Sequence, residues 1–202
     1  MEDPVREIPS VISQLVSTPP QEQASAIEKY FTPNAQFTHP FCRTGSYSNS
    51  RYLISRIYRW YKIMSPRISA RVTSVSFDEA NGVLYVGMTQ VFAIWAVPTH
   101  RSEVSLVTVL HLERLPARSK EEEVRLGGGK WLITSQNDLY QTDQFVKFIL
   151  PWFWMLVPLW QLVATWVCVL MSYVFFPVTW YEEKYQHKFT RDEKPPAWND
   201  AR

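Results

Sequence analysis

The chain has 202 residues, enough for one globular domain and an attached segment. It carries 21 Lys and Arg against 19 Asp and Glu, and this net charge of +2, without a long basic run, speaks against a nucleic-acid-binding surface. The two cysteines, Cys42 and Cys168, are far apart and lack the spacing of metal ligands. We therefore expect neither a disulfide nor a metal site, and no cofactor is predicted.

An apolar stretch occupies the region near the carboxyl end. Residues 148–181 form a run of 34 residues without Asp, Glu, Lys, Arg or His, whereas a membrane-spanning helix needs only about 20. Tryptophan, which favours the membrane–water interface, recurs in this run, and prolines mark bends or helix ends. We predict a membrane segment at 147–181, with membrane lipid as its partner, and assign to it Trp152, Trp154, Pro158, Trp160, Trp166 and Pro177.

This run is longer than one membrane span and shorter than two, so three arrangements remain open. They are a single tilted helix over 159–176, a hairpin bent near Gln161–Thr165, and a segment lying on the membrane surface. The polar tail at 182–202 carries basic residues that favour the cytosol, and the amino terminus lacks the features of a secretory signal. We expect the amino-terminal domain to face the cytosol, at the endoplasmic reticulum or a lipid droplet.

Residues 1–146 are predicted to form the soluble domain, with three helices in its first half. Apolar spacing predicts a helix over 8–16, and Thr18 would cap a second helix that ends near Tyr30. A third helix, over 50–64, is amphipathic, and its predicted buried face contains Leu53, Ile57, Trp60 and Tyr61. Its basic residues lie mostly off that face, where they are solvated or contact anionic headgroups: Arg51, Arg56, Arg59, Lys62 and, just beyond, Arg67.

The rest of the domain has the composition of a β-sheet. A short strand is predicted at Ala35–His39, and four long strands rich in β-branched and aromatic residues are predicted at 67–77, 83–96, 103–115 and 130–140. Asn81-Gly82 predicts a tight turn, a slip in the apolar phase predicts a bulge near Thr73–Ser74, and 118–129 is predicted to be a mobile loop. The fold class is therefore α+β, with helices packed on a strongly curved antiparallel sheet and a C-terminal hydrophobic membrane segment.

Such a cone-shaped domain would enclose a cavity, and polar residues on apolar stripes indicate its lining. Gln90 lies on the apolar side of its strand, where it must be hydrogen-bonded or face a pocket. Gln136 and Asp138 share one side of the last strand, whereas Trp131 and Ile133 favour the other side as core, so the buried side is left open. The candidate lining residues are His39, Tyr58, Gln90, His111, Gln136 and Asp138.

Five segments carry a resemblance to a known family: Tyr30–Pro40, Ile57–Tyr61, Lys130–Ile133, Gln136–Tyr140 and Pro177–Trp180. Together with the order of elements, they resemble the nuclear transport factor 2-like superfamily, which includes ketosteroid isomerases and the SnoaL-type polyketide cyclases. Within it, the chain is similar to the fungal SigF-like branch, whose members carry this domain followed by a membrane segment. The resemblance implies the cone-shaped fold and leaves the activity open, because the superfamily includes enzymes, carriers and adaptors.

The leading functional hypothesis is a membrane-anchored binding module for an apolar small molecule or lipid, or an adaptor, with a homodimer through the sheet as a further option. The alternative is an isomerase, cyclase or dehydratase that uses general acid–base catalysis on a lipophilic substrate. In that case Asp138 or His39 would be the base, and Tyr58 would stabilise an oxyanion. The sequence does not reproduce the carboxylate pair of ketosteroid isomerases or the two-histidine arrangement of scytalone dehydratase, and this favours the binding module.

Overall fold

Residues 1–97, 99–115, 129–178, 180 and 181 are described by the computed structural model. They divide into two units, Met1–Met155 and the chain from Leu156 onward. The predicted tail at 182–202 lies outside the described residues, as does the predicted loop at 118–129 apart from Gly129.

The first unit contains the helices α1 Pro4–Ser17, α2 Pro20–Tyr30, α3 Arg51–Met64 and α4 Thr142–Ile149. The first helix begins earlier than predicted, because Asp3 caps it and Pro4 occupies its first position. The Asp3 carboxylate accepts a hydrogen bond of 3.1 Å from the backbone N–H of Arg6. Three apolar residues of α1 have no more than 1% of their surface exposed, so this helix is part of the core: Ile8, Val11 and Leu15.

Thr18 does not cap α2, which corrects the prediction. Its hydroxyl donates a hydrogen bond to the carbonyl of Gln14, so Thr18 closes α1 instead. The second helix begins after Pro19, without a hydrogen bond from a capping side chain. A threonine hydroxyl can bond to a carbonyl four residues earlier as readily as to an amide that follows it, and here the backward bond is made.

The sheet has six strands in the order β2-β1-β6-β5-β4-β3, namely β1 Phe31–His39, β2 Cys42–Arg43, β3 Ser69–Asp78, β4 Val83–Phe92, β5 Ser102–Leu115 and β6 Lys130–Tyr140. All neighbouring strands are antiparallel except β1 and β6, which are parallel. The α+β class is confirmed, and the sheet is mixed rather than purely antiparallel. Since β1 lies beside the last strand, it brings its side chains next to those of β6.

Two β-bulges interrupt the long strands, and such bulges bend and twist a sheet. The predicted bulge at Thr73–Ser74 is confirmed, because Val72 pairs with Met88 and Ser74 with Gly87, which leaves Thr73 unpaired. A second bulge, at Thr134, was not predicted. There His111 pairs with Ser135 and Leu112 with Ile133.

The buried face of α3 differs from the predicted one. Ile54 and Tyr58 are its buried residues, whereas Trp60 has 56% and Leu53 38% of its surface exposed. Apolar residues occur all around this helix, so their spacing alone does not select the face that contacts the sheet. The helix therefore presents an exposed stripe of large apolar side chains.

The helix α4 crosses the predicted domain boundary at residue 146. Phe148 is only 7% exposed and packs in a cluster with Ile68, Phe92 and Val104. His100 donates a hydrogen bond of 2.9 Å to the carbonyl of Phe148, because its other ring nitrogen accepts from a backbone N–H. The first unit continues to Met155, so Phe148 belongs to the folded domain and not to the apolar segment that follows.

The second unit contains α5, Leu156–Val174, a helix of 19 residues that is long and apolar enough to cross a membrane. It runs without a break through Gln161–Thr165, so the bend of the predicted hairpin is not present. The Thr165 hydroxyl donates to the carbonyl of Gln161 at 2.8 Å. This bond satisfies a polar group within the helix, as an apolar environment requires.

Candidate functional site

A cavity lies between the helices and the inner face of the sheet. Its volume is about 40 Å³. The walls are largely apolar and include side chains from α1, α3, β1, β4, β5, β6 and α4. The polar residues of the lining are Gln23, His39, Tyr58, Tyr61, Lys62, Gln90, Thr108, Gln136, Asp138 and Tyr140.

A chain of hydrogen bonds crosses this cavity wall from α3 to β5. The Tyr58 hydroxyl donates to Oε1 of Gln136 at 3.0 Å. Nε2 of Gln136 donates to the Asp138 carboxylate at 3.0 and 3.3 Å, and the Thr108 hydroxyl donates to the same carboxylate at 2.7 Å. Because both groups next to Asp138 donate, the network favours an ionised carboxylate as acceptor.

Burial raises the pKa of Asp138 from 3.8 to about 6, against the hydrogen bonds from Gln136 and Thr108, which lower it. Asp138 is half-buried and lines the cavity. A carboxyl group with a pKa near neutrality can accept and return a proton under physiological conditions. This combination of position and pKa is typical of a functional carboxylate.

His39, on the strand next to that of Asp138, lies within a cage of aromatic rings. The ring centroids of Phe37, Phe41, Tyr61, Tyr140 and Phe148 lie 5.3–6.3 Å from that of the imidazole. Burial lowers the pKa of His39 from 6.5 to about 4, so the imidazole is neutral at physiological pH.

The hydrogen bonds around His39 fix its tautomer. Nδ1 accepts from the backbone N–H of Phe41 at 3.3 Å, so the ring proton is on Nε2. Nε2 lies 3.3 Å from the Tyr140 hydroxyl and donates to it. The proton of Tyr140 is then available for another acceptor. Burial also raises the pKa values of Tyr58 and Tyr140, with a further contribution from the charge of Asp138, so both hydroxyls remain donors.

The bulge at Thr134 explains how β6 supplies both core and cavity. In a regular strand, Ile133 and Gln136 would face opposite sides of the sheet. Both are buried, with 1% and 3% of their surface exposed, because the extra residue between their paired positions changes the phase. The sequence contained no signal for this bulge, and the two predicted faces of β6 are therefore one face.

The structure places five of the six candidate lining residues at the cavity: His39, Tyr58, Gln90, Gln136 and Asp138. His111 is a correction, because it is exposed on the outer side of β5, while its neighbours Leu110 and Leu112 face inward. Thr108 and Tyr140 were missed. Thr108 alternates in phase with Leu106 and Leu110, the same signal that identified Gln90.

Among the described residues, no group of three or more His, Cys, Asp or Glu side chains could hold a metal ion. The polar groups that line the cavity are hydroxyls, three side-chain amides, an imidazole, the Lys62 ammonium and one carboxylate. Such a set suits hydrogen bonding to an organic molecule or to water.

Residues 1–180 match the model of the SigF NTF2-like domain. The chain belongs to the SigF NTF2-like family. The family fixes the nuclear transport factor 2-like fold of this chain and does not specify an activity.

Solved structures with a similar arrangement have little sequence in common with this SigF NTF2-like chain, and none of them identifies its activity. A protein with a ketosteroid isomerase-like fold from Catenulispora acidiphila is 15% identical, with a TM-score of 0.46 and coverage of 67% of this chain and 88% of that chain. An LEH-like epoxide hydrolase from M. tuberculosis is 11% identical, with a TM-score of 0.49 and coverage of 77% and 99%.

A third structure, a putative SnoaL-like polyketide cyclase from Jannaschia, is 12% identical, with a TM-score of 0.44 and coverage of 63% and 78%. No match was found among curated proteins.

Proposed function

We propose that this chain is a membrane-anchored binding module whose cavity holds a lipophilic small molecule with a hydrogen-bonding group. The observation that carries the proposal is the convergence of polar side chains within an otherwise apolar cavity. Such a lining is typical of small-molecule sites, where a few polar groups orient the ligand and apolar walls provide the affinity.

The dimensions of the cavity limit how the ligand binds. An inner volume of about 40 Å³ is far below that of sites for drug-sized ligands, which measure about 300–1,000 Å³. The ligand would therefore place only a small polar end, such as a carbonyl or hydroxyl, beside Asp138 and Tyr140, and its larger apolar part would lie outside the cavity.

The apolar helix α5 supports the membrane part of the proposal, because its length and composition suit a single span. A lipophilic ligand partitions into the bilayer, so an anchored domain meets it at a high local concentration. This arrangement accounts for an apolar cavity and an apolar helix in one short chain.

Native mass spectrometry of the detergent-solubilised full chain tests the proposal. A co-purifying mass is expected with the unaltered protein. It should be lost in Gln90→Trp, because Gln90 is a half-buried residue of the cavity wall and the larger indole side chain would fill the cavity. The matched control is Val107→Trp on the neighbouring strand, because Val107 is 43% exposed on the outer face of the sheet. A chain without any bound molecule would instead favour an adaptor role.

General acid–base catalysis is a second candidate function, favoured by the position and raised pKa of Asp138. In this mechanism the Asp138 carboxylate removes a proton from a carbon next to the ligand carbonyl. The hydroxyl of Tyr140 donates to the resulting oxyanion, since that of Tyr58 already donates to Gln136, and Asp138 returns the proton at another carbon. The chemistry is that of an isomerase, and loss of a leaving group instead would make it a dehydratase.

Deuterium exchange distinguishes catalysis from binding. A catalytic domain incorporates deuterium from D₂O into the co-purified ligand, and Asp138→Asn abolishes this incorporation while the ligand stays bound. The rate rises with pH through about 6, because the ionised carboxylate is the base. Equal incorporation in the unaltered and Asp138→Asn proteins would exclude Asp138 as the base.

A further inference from the structure

We infer that a second surface of the domain docks on the headgroup layer of a membrane that contains anionic lipids. This docking face comprises the outer stripe of α3 and the neighbouring residues of β2: Phe41, Arg43, Leu53, Arg56, Trp60 and Ile63. The inference rests on the proposed membrane anchor, and it specifies which side of the domain faces the bilayer.

The first observation is the exposure of large apolar side chains on this face. Phe41 is 48%, Trp60 56% and Ile63 53% exposed. Leu53, Trp60 and Ile63 follow one another at helical spacing on α3. Leu53 and Trp60, together with Phe41 and the residues of β2, line a shallow groove of about 410 Å³. Aromatic and aliphatic side chains of this kind insert at the boundary between headgroups and acyl chains.

The second observation is the sign of the charge. Residues 40–64 contain no Asp or Glu, and the basic residues of the docking face are Arg43 and Arg56. Arg51 and Lys62 have a different role, because they donate to backbone carbonyls at the ends of α2 and α1. The docking face therefore combines apolar side chains with positive charge. The apolar side chains suit the boundary between headgroups and acyl chains, and the positive charge suits anionic headgroups.

The third observation is that this face continues to the point where the chain leaves the domain. The Phe41 ring lies 5.2 Å from that of Phe145 and 5.5 Å from that of Phe148, both on α4. The residues after α4 are exposed and apolar, with Trp152 at 60% and Phe153 at 53%. Because the apolar helix begins directly after Met155, this edge of the domain lies at the bilayer surface once the helix is inserted.

These observations favour a lipid surface over a protein partner. Aromatic residues and arginine are enriched at protein interfaces too, so the position beside the membrane anchor decides between the two occupants. A lipid surface requires aromatic side chains, basic residues and nearness to the anchor, and the docking face has all three. Binding to a protein instead of lipid is an outcome that the following experiment detects.

The test uses the full chain in nanodiscs with a nitroxide at one cysteine, in a background of Cys42→Ser and Cys168→Ala. The label is placed at Ile63→Cys on the docking face, or at Val107→Cys on the outer face of the sheet as the matched control. Both parent side chains are exposed, so neither substitution disturbs the core. Collision with a water-soluble nickel chelate is measured in phosphatidylcholine alone and with about one-fifth phosphatidylserine.

We expect phosphatidylserine to reduce collisions at residue 63 several-fold and to leave residue 107 unchanged. Replacing Arg43 and Arg56 by Gln restores collisions at residue 63, with an effect of about fivefold in membrane contact for each arginine. Equal collisions at residues 63 and 107 in both lipids would overturn the inference. Protection at residue 63 that is independent of lipid charge but lost on dilution of the nanodiscs would indicate a protein contact instead, and would also overturn it.

A third label separates this inference from the proposed anchor. The native Cys168 lies within α5 and is labelled in the Cys42→Ser protein. If the label at Cys168 is shielded from the chelate while collisions at residues 63 and 107 are equal, the docking face is rejected and the membrane anchor is retained. A label at Cys168 that is open to the chelate rejects the anchor itself.

Discussion

His39 and Asp138 have pKa values shifted in opposite directions, although both shifts arise from burial. The unfolded chain binds a proton at His39 below 6.5, whereas the folded chain does so only below about 4, so this residue makes stability fall as pH falls through that window. The folded chain binds a proton at Asp138 below about 6, but the unfolded chain only below 3.8. Asp138 therefore makes stability fall as pH rises through its window.

The first prediction concerns the balance of these two groups between pH 4 and 6. We expect the unfolding free energy of the intact domain to change little in this range, because the two contributions oppose each other. Asp138→Asn should reveal a loss of stability on acidification of up to about 3 kcal/mol from His39. His39→Gln should show the opposite slope. Urea denaturation at several pH values measures the unfolding free energy of the unaltered protein and of the two variants. The same dependence on pH in all three proteins would contradict the assigned roles of His39 and Asp138.

A second prediction concerns Thr32, whose buried hydroxyl has no hydrogen-bond partner among the described residues. Valine has nearly the same shape, so Thr32→Val should stabilise the domain by about 1 kcal/mol. Thr44→Val is the matched control, because the Thr44 hydroxyl accepts from the backbone N–H of Phe37 at 2.9 Å. That substitution should destabilise the domain by about 1–2 kcal/mol in the same denaturation assay. Equal losses of stability in Thr32→Val and Thr44→Val would show that the Thr32 hydroxyl is also hydrogen-bonded.

Individual residues of the site were predictable where a polar side chain interrupts an apolar stripe. Gln90 was found in this way and lines the cavity, whereas the sequence left open which side of β6, that of Gln136 or that of Ile133, is buried. Tyr140 could not be found, because its position depends on how β1 and α4 lie beside β6. His111 was placed on the wrong side, since the sequence of β5 does not show which of its two faces is covered by helices.

At the scale of elements, the turn between β3 and β4 supports a third prediction. Gly82 has a φ of 64°, and a Cβ there would lie 2.6 Å from the backbone carbonyl oxygen of Leu112. Gly82→Ala should therefore destabilise the domain by about 2 kcal/mol or more. Gly45→Ala is the control, because its Cβ would have ordinary contacts of 3.4 Å or more. Thermal unfolding of the two variants compares them, and similar melting temperatures would contradict the prediction.

Local sequence patterns predicted which segments form helices or strands. They did not predict which strands pair with one another in the sheet. Strand composition and the turn at Asn81-Gly82 identified β3 to β6, and the bulge at Thr73 was visible as a slip in phase. The parallel pairing of β1 with β6 joins residues about 100 positions apart, and no local signal reports it. Leu53 and Trp60 of the exposed α3 stripe were predicted as core, because hydrophobicity alone does not distinguish a buried face from an exposed one.

At the scale of the whole molecule, one continuous helix leads to a fourth prediction. A single span through α5 places the amino-terminal domain and the tail at 182–202 on opposite sides of the membrane. An N-glycosylation acceptor added after residue 202 should be glycosylated in microsomes, while the same acceptor added before Met1 should not. The tail would then cross the membrane despite its basic residues.

Glycosylation at neither end would instead require both ends to remain in the cytosol. That result would favour a helix lying on the surface, or a hairpin that forms only in the membrane, over the single span. The same pair of acceptors therefore separates the single span from the other two arrangements left open by the sequence.

The bulge at Thr134 divides β6 into two halves with opposite parity. Trp131 and Ile133 in the first half support the core, and Gln136 and Asp138 in the second half face the cavity. Deleting Thr134 would turn the second half outward and leave the first in place. Inserting or removing one residue at this point would therefore decide whether Gln136 and Asp138 line the cavity or face outward. Each half of β6 could change in sequence while the other half keeps its place in the sheet.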